Sequence, residues 1–213
     1  MQQKPIKKPD IPKELVNTKI PDNTLIDDAT YDMYSLSKIS LANQEADNIQ
    51  VRESILKLVD LSGSKLKKAH IKNVQFDNCN IANSKWQESN LDRVEFIDSR
   101  LTGFDIADGI IENVTFKNCK LNLSNFRFVH FKAVTFESCD LQEADFLEAN
   151  LQHISFENCD LTKAQFAKAK LKGTDFRTSN IKGIKVVAED LQGAIVSIDQ
   201  VLDLAWVLGV EIK

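Results

Sequence analysis

The residues able to do chemistry in this chain are few, and most of them lack partners. His70, His130 and His153 have no companion motif: GxSxG, HExxH and phosphate-loop patterns are all missing. The seven glycines are scattered rather than gathered into a cradle for a phosphate. Cys79, Cys119, Cys139 and Cys159 form no CxxC pair, and with no nearby His or carboxylate on their face they do not make a metal set. No catalytic residue, cofactor, metal or small-molecule substrate is therefore expected. The one concentrated chemical feature is charge. Between Ala133 and Thr162 stand Glu137, Asp140, Glu143, Asp145, Glu148, Glu157 and Asp160, with no Lys or Arg among them. Such a run presents negative potential to a partner; it does not break bonds.

What positions these acids is a period of five. From Leu36 to Val196 every fifth residue is apolar, without exception. Neither the 3.6 repeat of a helix nor the 2 of a strand requires that spacing. A fixed short period marks a solenoid, whose core is its architecture and whose function sits on its outside or ends. Two residues before each large apolar position lies a second inward slot, most often Ala, Ser, Cys, Thr, Gly or Val. We read this small slot as the place where the chain turns.

Grouping by twenty separates the sides of the coil. Phe76, Phe96, Phe116, Phe136, Phe156 and Phe176 form one ladder, and Trp86, Ile106, Phe126, Phe146, Phe166 and Val186 another. Twenty residues thus make one four-sided coil, and eight coils stacked about 4.8 Å apart give a rod on the order of 40 Å long. The four cysteines all fall in small inward slots and read as reduced, buried thiols. The acids fall in outward slots on three adjacent sides, with Glu137 stacked on Glu157 and Asp140 on Asp160. Like charges in that relation are unfavourable, unless Lys117 and Arg177 complete a mixed ladder. Basic residues gather toward both ends, among them Lys67, Lys68, Lys170 and Lys182, without the exposed aromatics of a nucleic-acid binder. Phe128 and Leu147 form an outward apolar pair beside Arg127, suited to an interface.

Three segments follow. Residues 1–25 carry all four prolines and read as an extended arm, residues 26–196 as an all-β solenoid, and residues 197–213 as a cap. In the cap, Ser197 to Gln200 form a capping box, a helix runs to about Leu208, Gly209 ends it, and Val210 to Ile212 form a short strand. The apolar arc of that helix, about 200°, is twice the roughly 100° stripe needed to cover one core. Ile198, Leu202 and Trp206 are therefore expected to bury against a second copy in a two-fold dimer. A net charge of −4 at 27% charged residues does not point to direct nucleic-acid binding. With no signal-like or membrane-length apolar run, the expected location is the cytoplasm.

Segments such as Cys139-Asp140-Leu141-Gln142-Glu143-Ala144-Asp145-Phe146 and Cys159-Asp160-Leu161-Thr162-Lys163-Ala164-Gln165-Phe166 resemble the A(D/N)LXX pentapeptide repeat. The resemblance covers about residues 36–196 and implies a right-handed quadrilateral β-helix. The near-continuous repeat and the ending Leu208-Gly209-Val210-Glu211-Ile212 are similar to the Qnr-type subgroup. That likeness implies a dimer that binds DNA gyrase or topoisomerase IV by mimicking duplex DNA, inhibiting the enzyme or protecting it from quinolones. Some Qnr-type proteins carry loops that interrupt the coils and help protection; this chain has none, so it is similar to the loopless members. The alternative is a non-enzymatic scaffold or interaction rod with another partner, engaged through Phe128 and Leu147 or the arm.

Overall fold

From Asp28 to Lys168 every fifth residue turns through the left-handed backbone region, with φ between 46° and 69°. Most are not glycine: Glu53, Arg93, Leu123, Phe128 and His153 all adopt it. Each such residue costs an L-amino acid roughly 1–2 kcal/mol, so the neighbouring coils must enforce it. They do so through the backbone. Leu101 donates its N–H to the carbonyl of Lys120 at 2.7 Å, Lys120 donates to Ser99 at 3.1 Å, and the pattern recurs on every side. The corner lies two residues after each large apolar position. This corrects the expectation that the chain turns at the small slot two residues before it.

The computed structural model describes residues 5–209, which build a parallel β-solenoid ending in one short helix. The strands are β1 (Thr30–Asp32), β2 (Ser35–Ser37), β3 (Gln50–Lys57), β4 (His70–Asp77), β5 (Asn90–Ile97), β6 (Ile110–Lys117), β7 (His130–Glu137) and β8 (Asn150–Glu157). β1 and β2 both pair with β3, and the sheet then runs in order to β8. The register is twenty residues throughout, as in Phe96↔Phe116 and Phe116↔Phe136. Each eight-residue strand spans two sides and bends at a left-handed residue such as Asn113. The other two sides narrow to single bridges, such as Lys120↔Asp140 and Asn125↔Asp145.

That register stacks the phenylalanines. Phe76, Phe96, Phe116 and Phe136 lie parallel with ring centroids 4.7–4.9 Å apart, and Phe146 stacks on Phe166 at 4.9 Å. The two ladders meet edge to face, Phe136 against Phe146 at 6.2 Å. Both arrangements suit the ring quadrupole and add roughly 0.5–1.5 kcal/mol per pair beyond burial.

The small slot holds donors as well as filling space. Ser84, Ser89 and Ser124 donate to the carbonyls of Leu61, Leu66 and Leu101, each 23 residues earlier, at 2.7–3.0 Å. The cysteines hold the same position: Cys119, Cys139 and Cys159 point their thiols at the carbonyls of Phe96, Phe116 and Phe136 at 3.3–3.4 Å. All four are free and buried. Burial pushes the Cys79 thiol up to about 11, and contact with Cys119 together with burial raises Cys139 to about 12. The contact with Cys139, then burial, raises Cys159 as well.

At the N-terminal end, Asn17 pairs with Tyr34, and Ile20 and Leu25 are buried in the core. At the other end α1 (Ile198–Leu204) starts in the expected capping box of Ser197 and Gln200. The helix stops earlier than the sequence pattern indicates: residues 205–208 tighten to a 3-10 turn, and Gly209 ends it with φ 68°. Gln200 also turns inward and donates to the carbonyls of Phe176 and Ser179, both at 2.7 Å, satisfying acceptors at the open end of the rod. The strand expected at 210–212 lies outside the described residues. No helix of the described residues is long and apolar enough to cross a membrane.

Phe136→Ala removes a ring held on both faces, so equilibrium denaturation should show a loss of about 3–5 kcal/mol. With all four sulfurs buried, a thiol-specific reagent at pH 8 should find no reactive cysteine in the native protein and all four after unfolding.

Candidate functional site

The acids between Ala133 and Thr162 sit where the coil places its outward slots, and their surroundings divide them. Glu137, Asp145 and Glu148 are neutralised: Lys117 Nζ lies 2.7 Å from Glu137, Arg127 Nε 2.6 Å from Asp145, and Lys168 Nζ 2.8 Å from Glu148. Asp140, Glu143, Glu157 and Asp160 make no ion pair among the described residues. Asp160 instead accepts from the Thr162 N–H at 3.0 Å, the Thr162 hydroxyl at 2.6 Å and Asn180 at 3.2 Å. Asp140 accepts from the Gln142 N–H at 3.2 Å, and Glu157 from the Ser155 hydroxyl at 2.9 Å. These neutral donors fix the carboxylates without cancelling their charge.

The stacking is direct. Glu137 is the register partner of Glu157, and Asp140 bridges Asp160. The mixed ladder Lys117–Glu137–Glu157–Arg177 forms only in its lower half. Arg177 turns along its own coil to Asp175, at 2.6 Å, and holds that carboxyl below the usual range. Glu157 is left beside Glu137 with no cation. Sequence spacing placed Arg177 above Glu157 but could not show which of two acids a long side chain would choose.

The apolar pair is also in place. The Phe128 N–H donates to the Leu147 carbonyl at 3.1 Å, which sets the two residues on adjacent coils. Phe128 is 43% exposed and Leu123, one corner away, 57%; Leu147 is half-buried. Both Phe128 and Leu123 occupy left-handed corners, with φ 60° and 62°. A bulky apolar residue gains nothing by standing exposed in that conformation. This signal was open to sequence reasoning only once the corner position was known. On the terminal helix, Ile198, Leu202 and Trp206 are 88%, 63% and 50% exposed, while Leu204 covers the last coil. His70, His130 and His153 are all exposed, and no cluster of possible metal ligands exists among the described residues.

Residues 34–106 and 109–186 match the family described as Pentapeptide repeat region. Among solved structures the chain is similar to trypsin-treated QnrB1, a plasmid-mediated fluoroquinolone resistance protein. The identity is 17%, the TM-score 0.38, and the match covers 86% of this chain and 99% of that one. It is also similar to HetL, involved in heterocyst differentiation regulation in the cyanobacterium Nostoc sp. strain PCC 7120. There the identity is 16% and the TM-score 0.32, over 80% of this chain and 90% of that one. A third similar structure is Rfr23 from the cyanobacterium Cyanothece 51142, at 13% identity and a TM-score of 0.24, over 83% of this chain and 92% of that one. Comparison with curated proteins returns no match.

If Glu157 costs stability through Glu137, Glu157→Gln should stabilise the rod by about 0.2–1 kcal/mol at low ionic strength. The gain should shrink toward zero in 1 M salt, measured as paired denaturation midpoints.

Proposed function

The chain belongs to the pentapeptide-repeat family, and on that premise we propose that it is a non-enzymatic interaction rod whose acidic surface enters the DNA-binding channel of a type II topoisomerase, DNA gyrase or topoisomerase IV. One observation carries this reading: Asp140, Glu143, Glu157 and Asp160 make no ion pair among the described residues, and Asp140 stacks directly on Asp160. A surface shaped for stability alone would close ion pairs there, as Lys132 does with Glu112 at 2.7 Å; Lys120, the bridge partner of Asp140, forms none with it. Uncompensated carboxylates repeating at about 4.8 Å resemble a charged polymer backbone, and a cationic channel built for phosphates attracts such a surface. Inhibition follows by occupying the channel. Protection from quinolones is the finer possibility within the same reading.

The terminal helix supports a two-fold dimer in which Ile198, Leu202 and Trp206 bury against their symmetry mates. This doubles the rod and sets the acidic surface on both arms. A second reading is favoured by Phe128 and Leu123 at their strained corners: a partner other than a topoisomerase that docks on this apolar edge.

Purified gyrase should lose supercoiling activity in the presence of the wild-type protein, less so as salt rises. The variant carrying Glu137→Lys, Asp140→Lys, Glu157→Lys and Asp160→Lys should lose inhibition by at least tenfold. Absence of inhibition by the wild type at micromolar concentration excludes the reading. Trp206→Ala should shift sedimentation from dimer toward monomer, while a wild type that sediments as a monomer rules out the dimer.

A further inference from the structure

The N-terminal arm lies against the rod, and its attachment is regular. The Lys7 N–H donates to Asn113 Oδ1 at 3.4 Å, and the Asp10 N–H donates to Asn73 Oδ1 at 3.2 Å. Asn73 and Asn113 are corner residues of the same side, two coils apart, so at a stacking repeat of about 4.8 Å the arm covers about 9.6 Å in three residues. That is roughly 3.2 Å per residue, the rise of an extended or polyproline chain. Half-buried Ile6, Pro9 and Pro12 recur at the three-residue period of a polyproline helix, Ile11 is half-buried beside them, and Lys7, Lys8 and Asp10 are exposed. The arm therefore runs along the rod axis, across the strands.

The arm and the column bury each other. Asn73 and Asn113 are only 7% and 8% exposed, whereas the corner residues Asn78, Asn83 and Asn118 on other sides are exposed. Asn113 is oriented from behind, since its Nδ2 donates to Asp92 Oδ1 at 3.2 Å, which turns Oδ1 toward the arm. Arg93, between the two asparagines, has its Nε 3.3 Å from Asp92 Oδ2, buried and without a hydrogen bond. Ala133, next in the column, is 3% exposed. Beyond Asn73 the column opens into a shallow cleft bordered by Arg52, Glu53, His70, Lys72 and Asn90.

We propose that the Asn73–Arg93–Asn113 column is a docking groove for an extended, proline-spaced peptide, and that the arm is its tethered occupant. Recognition uses two main-chain N–H groups three residues apart, read by asparagine oxygens two coils apart. A partner segment with the same spacing would enter by displacing the arm. Tethering gives the arm an effective concentration on the order of millimolar, so the groove stays closed to weak competitors.

The test uses the full chain with Lys7→Pro and Asp10→Pro, which removes both donors outside the rod. A fluorescent peptide of residues 5–14 is the probe, read by anisotropy. The double-proline chain should bind it at least tenfold more tightly than the wild type. Adding Asn73→Gly and Asn113→Gly should abolish that binding; glycine is used because φ is 54° at both positions. In the wild type, the Lys7 and Asp10 amides should exchange about fivefold more slowly than in the Asn73→Gly, Asn113→Gly chain, the worth of one hydrogen bond each. Binding to the double-proline chain no better than to the wild type overturns the groove. So does binding that survives loss of both asparagines, or that a scrambled peptide of equal charge reproduces. Equal amide exchange in the two chains overturns the docking itself.

Discussion

One residue in five is held in the left-handed region because the coil above and the coil below leave it no other path. The backbone N–H groups on each side meet carbonyls nineteen residues ahead and twenty-one behind, so every corner is fixed twice. A single left-handed Glu53 or Phe128 in a free chain would relax at once. Stacked, the corners become cooperative: each is worth its strain only if its neighbours hold theirs. The rest of the molecule inherits this constraint. The phenylalanine ladders stack because their Cα atoms are register partners, the small slots meet carbonyls because the coil repeats, and outward residues are placed on a grid of five along the coil and twenty up the rod.

That grid converts sequence into surface. Glu137 next to Glu157 and Asp140 next to Asp160 are consequences of a twenty-residue repeat, and so are the two asparagines that hold the arm. The rod thus offers unlike faces for unlike contacts: carboxylates on three adjacent sides, an apolar edge at Leu123 and Phe128, a polar column under the arm, and an apolar helix at one end. Binding by such a surface is set by which outward residues are left uncompensated, since the core is the same on every coil.

The core was legible in the sequence because its demand is uniform. A large apolar residue is needed at every fifth place, so Phe76 to Phe176 announce the ladder and Cys139 announces its slot. The corner was not legible, because almost any side chain stands there: Leu123, Arg93, His153 and Lys163 share the conformation that Asn and Gly advertise elsewhere. The acids could be placed but not paired. Arg177 could reach Glu157 or Asp175, and only the fold shows it bent back to Asp175. The arm's seat was hidden for a different reason. It is made by main-chain N–H groups, which every non-proline residue has, and by asparagines that read as ordinary turn residues. Gln200 was legible as a cap for its own helix, but its second task of meeting the Phe176 and Ser179 carbonyls was not.

On the proposed function, the uncompensated carboxylates of the rod compete with duplex DNA for one channel. Displacement of a fluorescent DNA duplex from purified gyrase measures that competition directly. The rod should displace the duplex, with an apparent affinity that falls as the duplex concentration rises and that is lost when Glu137, Asp140, Glu157 and Asp160 are changed to lysine. A rod that binds gyrase while leaving the duplex bound, or that displaces it equally well after those four reversals, would contradict competition for the channel.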